Sequence, residues 1–243
     1  MREPAQTAVE LVATIFGLAA LWIGLAQAKG RLMGRRIWTT YVVEILTLAA
    51  ILVPAYLGPW WFLAAVSAIG LACAIEAARA LGRMGLAGLT LLYPGLFLGA
   101  LFALGAAPTG FGDVFFCYAA VEINDSSAYL IGATFGKARP FPALSPNKTV
   151  AGLVGGLVTT IAMAPLFHFA VPSLSREQVL IGGGFLAGAG TAGDLFASSI
   201  KRAARIKDFG AVIPTHGGVL DVYDSLIFVA PLFQAYLWAC RAE

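Results

Sequence analysis

Long apolar runs separated by short polar segments dominate the pattern of this chain. A membrane-spanning helix needs about 20 largely apolar residues, and several of the runs reach that length alone or with one polar flank. The pattern therefore predicts a polytopic, all-α integral membrane protein. The charge-free runs cover residues 11–28, 45–75, 84–112, 149–175, 178–193 and 225–240.

Eight transmembrane helices fit this pattern best. Pro54, Gly58 and Pro59 divide the longest run into two passes, because proline and glycine mark turns. Trp60 and Trp61 follow that turn, where aromatic side chains suit the membrane–water interface. We predict spans near residues 8–28, 38–57, 60–80, 85–106, 114–135, 150–171, 178–200 and 219–240.

The composition supports a membrane protein, and the charges orient it. Of the 243 residues, 59% are hydrophobic and only 12% are charged, against about 25% in soluble domains. With eight spans, one face of the membrane receives 13 of the 16 lysines and arginines. The positive-inside rule places that face in the cytoplasm and both termini outside. The loops on it are residues 29–37, 79–84, 136–149 and 201–218.

The first apolar run is interpreted as a retained helix. Ala26 and Ala28 resemble a small-residue cleavage site. The positive charges, however, follow this run, beginning with Lys29 and Arg31. In a secretory signal the positive charges precede the apolar run, so the charge order here is reversed. We divide the chain into an N-terminal transmembrane scaffold, residues 1–112, and a second transmembrane region, residues 113–243. We call the second region the catalytic transmembrane region, because the polar clusters described next lead us to expect the chemistry there.

Several acidic residues fall within the predicted spans. A charge at a helix centre costs about 2.5–3.5 kcal/mol and usually has a function. Two of the acids have simple structural interpretations: Glu44 either snorkels to the membrane surface or pairs with a loop cation, and Glu76 forms a solvated i, i+3 pair with Arg79. The acidic residues without a simple structural interpretation are Glu122, Asp125, Asp194, Asp221 and Asp224.

Two polar blocks lie in the first part of the catalytic region. Six of the eight residues in 122–129 are polar, so this side of the helix must face protein, ions or a water-filled cavity. The block 145–149, SPNKT, leads into the sixth span, where a lysine and hydroxyl groups at a helix start form an anion site. An ordinary helix cap with a positive-inside lysine is the alternative for this second block.

The third block begins at Asp194 and ends at Asp224. Four cations stand at the cytoplasmic end of the seventh span, followed by a glycine-rich linker and the pair Asp221 and Asp224. Aspartates on two helices suit Mg²⁺, and adjacent cations suit a polyphosphate undergoing phosphoryl transfer. His216, in the linker, is either structural, a proton carrier or a phosphate donor.

Residues 198–224, SSIKRAARIKDFGAVIPTHGGVLDVYD, resemble the C-terminal motif of phosphatidate cytidylyltransferases, also called CDP-diacylglycerol synthases. The segments 124–129, NDSSAY, and 145–152, SPNKTVAG, resemble two earlier blocks of that family in the same order. The resemblance covers about residues 113–243. It implies the reaction of CTP with phosphatidic acid to give CDP-diacylglycerol and pyrophosphate in phospholipid biosynthesis.

The resemblance also implies residue roles and partners. Asp194 and Asp221 would be the Mg²⁺ ligands, and a requirement for a monovalent cation stays open. The catalytic group would be Lys201, Arg202, Lys207, Asp208, His216 and Asp224. Substrate binding would fall to Asn124, Asp125, Ser126, Ser145, Lys148, Thr149 and Ser198. We expect a homodimer in the inner (plasma) membrane, with its active site facing the cytoplasm and no nucleic-acid partner.

Three positions depart from the family pattern. Val222 stands where an arginine is usual, Ala197 replaces a glutamate, and Ala151 replaces a glutamate or glutamine. Loss of one anion and one cation from helices that both carry metal ligands suggests an ion pair that is absent from this chain. These departures leave the substrate and the turnover of this protein open.

Three alternatives to this function remain. The same chemistry could act on a different lipid phosphate, such as a prenyl or phosphonate acceptor. An inactive family member could serve as a partner subunit, although the retained acidic and basic residues argue against it. An ion-coupled transporter would also use intramembrane carboxylates, but the sequence has no visible internal repeat.

Overall fold

A computed structural model describes residues 4–28, 35–82, 99 and 110–242. Those ranges contain no β-strand, and a 3₁₀-helix at Ala164–Phe167 continues the fifth α-helix. The α-helices are α1 (Pro4–Ala28), α2 (Arg35–Leu57), α3 (Pro59–Gly82), α4 (Gly110–Phe135), α5 (Val150–Met163), α6 (Arg176–Ala203) and α7 (Val219–Arg241).

The polytopic all-α prediction is confirmed. Six segments of the described chain are long and apolar enough to cross a membrane: α1, α2, α3, α6, α7 and residues 150–167. Helix α4 has 26 residues but is not among them, because Glu122, Asn124 and Asp125 interrupt its apolar surface. Apart from residue 99, the predicted span 85–106 lies outside the described residues.

Local sequence signals set the helix boundaries. Gly58 adopts φ +126° between α2 and α3, a left-handed conformation that favours glycine and forms the predicted turn. Thr149 caps α5 by accepting a hydrogen bond from the N–H of Gly152. Ser175 and Gln178 form a capping box at the start of α6.

A tightly packed core joins the four C-terminal helices. Phe116 of α4 packs against Phe233 of α7 with ring centroids 5.8 Å apart, and both rings are fully buried. Leu186 of α6 is also fully buried. This packing holds the end of α4, the end of α6 and the start of α7 in fixed positions relative to one another, and the predicted site lies there.

The two ends of the helix assembly differ chemically. At one end, Asp113 at the start of α4 is fully buried and pairs with Arg241 at the end of α7 at 2.7 Å. Arg241 also donates to the hydroxyl of Ser173. The opposite end collects the start of α2, the end of α3 and the polar loops, and it contains a large cavity.

Candidate active site

A polar cavity of about 800 Å³ opens at the end of α4, between the starts of α5 and α7 and the end of α6. It brings together ten of the fifteen predicted site residues. These ten are Asp125, Ser145, Lys148, Thr149, Asp194, Lys201, Asp208, His216, Asp221 and Asp224.

Asp221 occupies the third position of α7, and its carboxylate organises the loop before that helix. Its Oδ2 accepts hydrogen bonds from the backbone N–H groups of Phe209 (2.7 Å), Gly210 (3.4 Å) and Gly218 (2.9 Å). Its Oδ1 binds the ammonium group of Lys201 at 3.0 Å. One oxygen of Asp221 is therefore used to shape the loop, while the other meets a cation at the cavity wall.

Lys201, at the end of α6, lies between two carboxylates of α7. Its Nζ is 3.0 Å from Oδ1 of Asp221 and 3.5 Å from Oδ2 of Asp224. The same ammonium group lies 5.2 Å from the ring centroid of Phe209, a cation–π distance. The pair of aspartates thus forms a site that already attracts one positive charge.

A second ion pair faces the cavity from α5 and α6. Lys148, just before α5, binds Oδ2 of Asp194 at 2.6 Å. The other oxygen of Asp194 accepts from the hydroxyl of Ser198, one turn further along α6, at 3.4 Å. Ser198 is buried behind the wall, so in this structure it supports Asp194 and does not line the cavity.

The polar block of α4 is divided between the cavity and the helix packing. Asp125 lines the cavity, whereas Asn124 is buried, with 2% exposure. The amide of Asn124 donates to Asp125 at 3.1 Å and to Thr191 of α6 at 3.2 Å. Asn124 therefore joins α4 to α6 and orients the neighbouring carboxylate.

His216 lines the cavity, and both of its ring nitrogens have polar neighbours. Nε2 is 2.9 Å from a carboxylate oxygen of Glu44 on α2. Nδ1 is 3.0 Å from the hydroxyl of Thr215, which lies 3.3 Å from the hydroxyl of Thr40. These contacts tie the loop to α2. The partner of Glu44 is a loop residue, as expected of a structural carboxylate, but it is a histidine and not a lysine or an arginine.

The other predicted residues, Ser126, Arg202 and Lys207, are exposed and do not contribute to the cavity lining. Arg202 donates to the backbone carbonyls of Leu144 and Ile206, so it connects the loop 136–149 to the end of α6. The roles predicted for these three side chains in catalysis or binding stay predictions.

The set of predicted site residues leaves out several side chains that the structure places at the site, three of them within the polar blocks 122–129 and 145–149. Glu122, Tyr129, Arg139 and Asn147 line the cavity. Arg139 was counted only among the loop cations, although its position nine residues before Lys148 in a short polar loop was a usable signal. Glu122 stands one turn before Asp125 on the same helical face, which indicated a shared environment.

The interpretation of Glu76 as a solvated partner of Arg79 is wrong. Glu76 is buried, with 4% exposure, and its carboxylate accepts from the backbone N–H groups of Val219 (3.1 Å) and Leu220 (2.8 Å). The N-terminal scaffold thus contributes directly to the start of α7. Nothing in the sequence near Glu76 reveals this partner, because backbone N–H groups leave no sequence signal.

The donor chemistry of the site fits a hard cation. Asp221 and Asp224 share one ammonium group, and Asp194 binds another. Throughout the described ranges, no three His, Cys, Asp or Glu side chains form a group able to hold a metal ion. Mg²⁺ in nucleotide enzymes is commonly held by one or two carboxylates together with substrate phosphates, so the aspartate pair suits such an ion.

Comparison with known proteins identifies relatives of this chain. A phosphatidate cytidylyltransferase of Staphylococcus aureus is 29% identical over 234 residues, which are 93% of this chain and 90% of that protein. A phosphatidate cytidylyltransferase of Aquifex aeolicus is 40% identical over 153 residues, 63% of this chain and 56% of that protein. An Escherichia coli protein called uncharacterized protein YnbB is 39% identical over 127 residues, 52% of this chain and 43% of that protein.

The chain thus spans about half the length of the last two relatives and most of the first. A wider match covers almost all of the sequence: residues 6–240 fit the cytidylyltransferase family. This confirms the resemblance seen in the polar blocks and extends it to the N-terminal helices. The chain belongs to the cytidylyltransferase family.

Proposed function

We propose that the protein is a phosphatidate cytidylyltransferase, which converts CTP and phosphatidic acid to CDP-diacylglycerol and pyrophosphate. The observation that carries this proposal is the polar cavity in which aspartates from α6 and α7 meet Lys148 and Lys201. Relatives named phosphatidate cytidylyltransferase support it, one of them along 93% of this chain.

The proposed reaction is an in-line phosphoryl substitution. An oxygen of the lipid phosphate forms a bond to the α-phosphorus of CTP, while the bond from that phosphorus to the bridging oxygen breaks and pyrophosphate leaves with the electron pair. A phosphate is anionic at neutral pH, so it needs no strong base for activation. Catalysis then depends on positioning and on neutralising charge.

The cavity residues supply that positioning and charge. Lys148 and Lys201 each bind a carboxylate in this structure and would exchange it for phosphate oxygens when the substrates bind. Arg139, also at the cavity wall, provides a third cation. Asp221 and Asp224, which share one ammonium group in this structure, would hold Mg²⁺ together with substrate phosphates, and the ion would neutralise negative charge on those phosphates.

The placement in the membrane is part of the proposal. We infer eight spans, with both termini outside and the cavity open to the cytoplasm across a bacterial inner membrane. The 13 cations on the loops at one face support this orientation. Helix α3 ends at the cavity end and α4 begins at the opposite end, which agrees with eight spans. A homodimeric assembly rests on the resemblance to the family.

The test is the formation of CDP-diacylglycerol by detergent-purified protein from labelled CTP, phosphatidic acid and Mg²⁺, with the variant Asp221→Asn. The asparagine carbonyl can still accept from the three loop N–H groups, but its amide replaces the oxygen that faces Lys201. We expect kcat to fall by about 100-fold or more while the protein stays folded.

Glu177→Gln is the matched control, because Glu177 is exposed at the start of α6, far from the cavity. It should retain the activity of the unchanged protein. If well-folded protein makes no product from phosphatidic acid but uses another lipid phosphate, the chemistry stands and the substrate changes. Absence of product with every acceptor would contradict the proposal and favour an inactive partner subunit.

A further inference from the structure

A carboxylate from the N-terminal scaffold caps the helix that carries Asp221. The N-cap residue of α7 is Gly218, which has no side chain to accept from the first N–H groups of the helix. Glu76 of α3 takes this role, with its two oxygens on the N–H groups of Val219 and Leu220. A carboxylate at this position also interacts favourably with the helix dipole.

Two glycines allow Glu76 to approach so closely. A Cβ atom at Gly218 would lie 2.6 Å from the Glu76 carboxyl carbon, and one at Gly210 would lie 2.8 Å from it. Both glycines also donate their N–H groups to Oδ2 of Asp221. Glu76 and Asp221 therefore contact the same two backbone segments. Glu76 packs against both glycines and also bonds to the start of α7, whereas Asp221 binds the N–H groups of both glycines.

The loop is held by α2 as well as by α3. Glu44 contacts Nε2 of His216 at 2.9 Å, whereas Glu76 sits at the start of α7. Of these two acids, only Glu76 is buried and bonded directly to the backbone. A displacement of Glu76 would move the N–H groups that hold Oδ2 of Asp221, and would thus turn Oδ1 away from Lys201.

We propose that Glu76 is a positioning residue for the proposed reaction: it fixes the loop 208–218 and the start of α7 so that Asp221 presents one oxygen to the cation at the cavity wall. The proposal rests on the proposed function for its catalytic consequence. Its geometric part, that Glu76 immobilises this loop, can be tested without any substrate.

The geometric test is hydrogen–deuterium exchange of the peptide covering residues 208–221 in Glu76→Gln. The glutamine carbonyl can serve one of the two N–H groups, but its amide then faces the other donor. We expect the amides of this peptide to exchange about tenfold faster or more, because hydrogen bonds to a charged group are lost. Glu177→Gln, the same chemical change on an exposed residue, should leave the exchange unchanged. Unchanged exchange in Glu76→Gln would overturn the proposal.

A double-mutant cycle tests the close approach itself. Gly218 has φ −92° and ψ 176°, which alanine can adopt, so Gly218→Ala should act through its clash with Glu76. We expect Gly218→Ala to accelerate exchange in the same peptide, and Glu76→Ala/Gly218→Ala to exchange no faster than Glu76→Ala alone. Additive effects in the double variant would contradict the proposed contact. If Glu76→Ala does not fold, Glu76→Asp, whose shorter side chain withdraws the carboxyl group from position 218, replaces it in the cycle.

Kinetics then separate a positioning role from a purely structural one. In Glu76→Gln we expect kcat per folded enzyme to fall at least about tenfold while KM for phosphatidic acid is unchanged, because Asp221 is misaligned and the lipid contacts are not. A lower melting temperature with an unchanged kcat would overturn the positioning role. If the unchanged protein forms no CDP-diacylglycerol, the proposed function fails, while the exchange data still decide the geometric part.

Discussion

At the level of single residues, the site is defined by charges that are buried together. The side chains of Lys201, Asp221 and Asp224 are 12%, 4% and 9% exposed. Removing charges from water costs several kcal/mol per ion, and mutual attraction offsets this only with good geometry. A substrate phosphate that attracts Lys201 would leave the two aspartates without their cation, so Mg²⁺ and the nucleotide should bind together.

Lys201→Met tests this balance. Without the ammonium group, Asp221 and Asp224 lose their common partner, and we expect a loss of about 3 kcal/mol in stability together with loss of activity. Mg²⁺ should then raise the melting temperature of the variant more than that of the unchanged protein, because the ion becomes the available cation for the pair. Melting curves in detergent with Mg²⁺ or with a chelator measure this difference.

The control for that experiment is Lys137→Met, which removes an exposed lysine from the loop after α4. It should alter neither the melting temperature nor its response to Mg²⁺. An equal Mg²⁺ response in Lys201→Met and in the unchanged protein would contradict a cation site between the two aspartates.

Individual residues also show where sequence reasoning succeeds and where it stops. Asp194, Asp221 and Asp224 were found because acids within apolar spans are costly and need a reason. Glu76 was misinterpreted because Arg79, three residues away, offered a sufficient local partner, whereas its actual partners lie 143 and 144 residues further on. Glu44 and His216 are separated by 172 residues, so only the folded chain reveals their pairing.

At the level of secondary-structure elements, the apolar periodicity predicts the helices well and their ends less well. The predicted span 150–171 is an α-helix to Met163 followed by a 3₁₀-helix to Phe167. Pro165 explains the change, because proline lacks the N–H that an α-helix needs there. Helix α4 begins at Gly110 and not at 114, and Gly110 and Gly112 gave no helix signal.

The contact between α6 and α7 contains the clearest departures from the family pattern. Ala197 is fully buried on α6. It lies one turn after Gly193, where a Cβ atom would be 2.7 Å from Cβ of Phe228 on α7, and one turn before Lys201, which binds Asp221. Val222 lines the cavity on α7. Small and apolar residues here let the two helices pack without the ion pair suggested by the resemblance.

Restoring that pair by substitution tests the interpretation. Val222→Arg should impair activity or folding, since it adds a cation beside Lys201. Ala197→Glu alone should cost about 3 kcal/mol, because it buries an unpaired carboxylate. The double variant should be more stable and more active than either single variant, with a coupling energy of about 0.5–3 kcal/mol. Melting temperature and product formation, measured on all four proteins of the cycle, give this coupling, and effects that simply add would rule out the pairing.

At the level of the whole molecule, the helices run between two unlike ends. One end has the cavity, the cations of the loops 136–149 and 201–218, and the capping contacts of Glu76. The other has the ion pair between Asp113 and Arg241, reinforced by Ser173. The separation of the two ends follows from the alternation of apolar runs and polar loops, and the sequence therefore predicted it. The hydrogen bonds from three backbone N–H groups to Asp221 depend on the conformation of the loop before α7, and the hydropathy pattern does not predict that conformation.

Labelling of single cysteines tests the orientation of these two ends. Cys73 and Cys117 are buried, so Cys240→Ala provides a background with little accessible thiol. In that background, a membrane-impermeant maleimide should label Glu177→Cys in intact cells and Lys137→Cys only after the membrane is opened. Glu177 begins α6 at the end away from the cavity, and Lys137 follows α4 beside it. The reverse pattern would place the cavity outside the cell, where CTP is absent, and would contradict the orientation and the proposed reaction together.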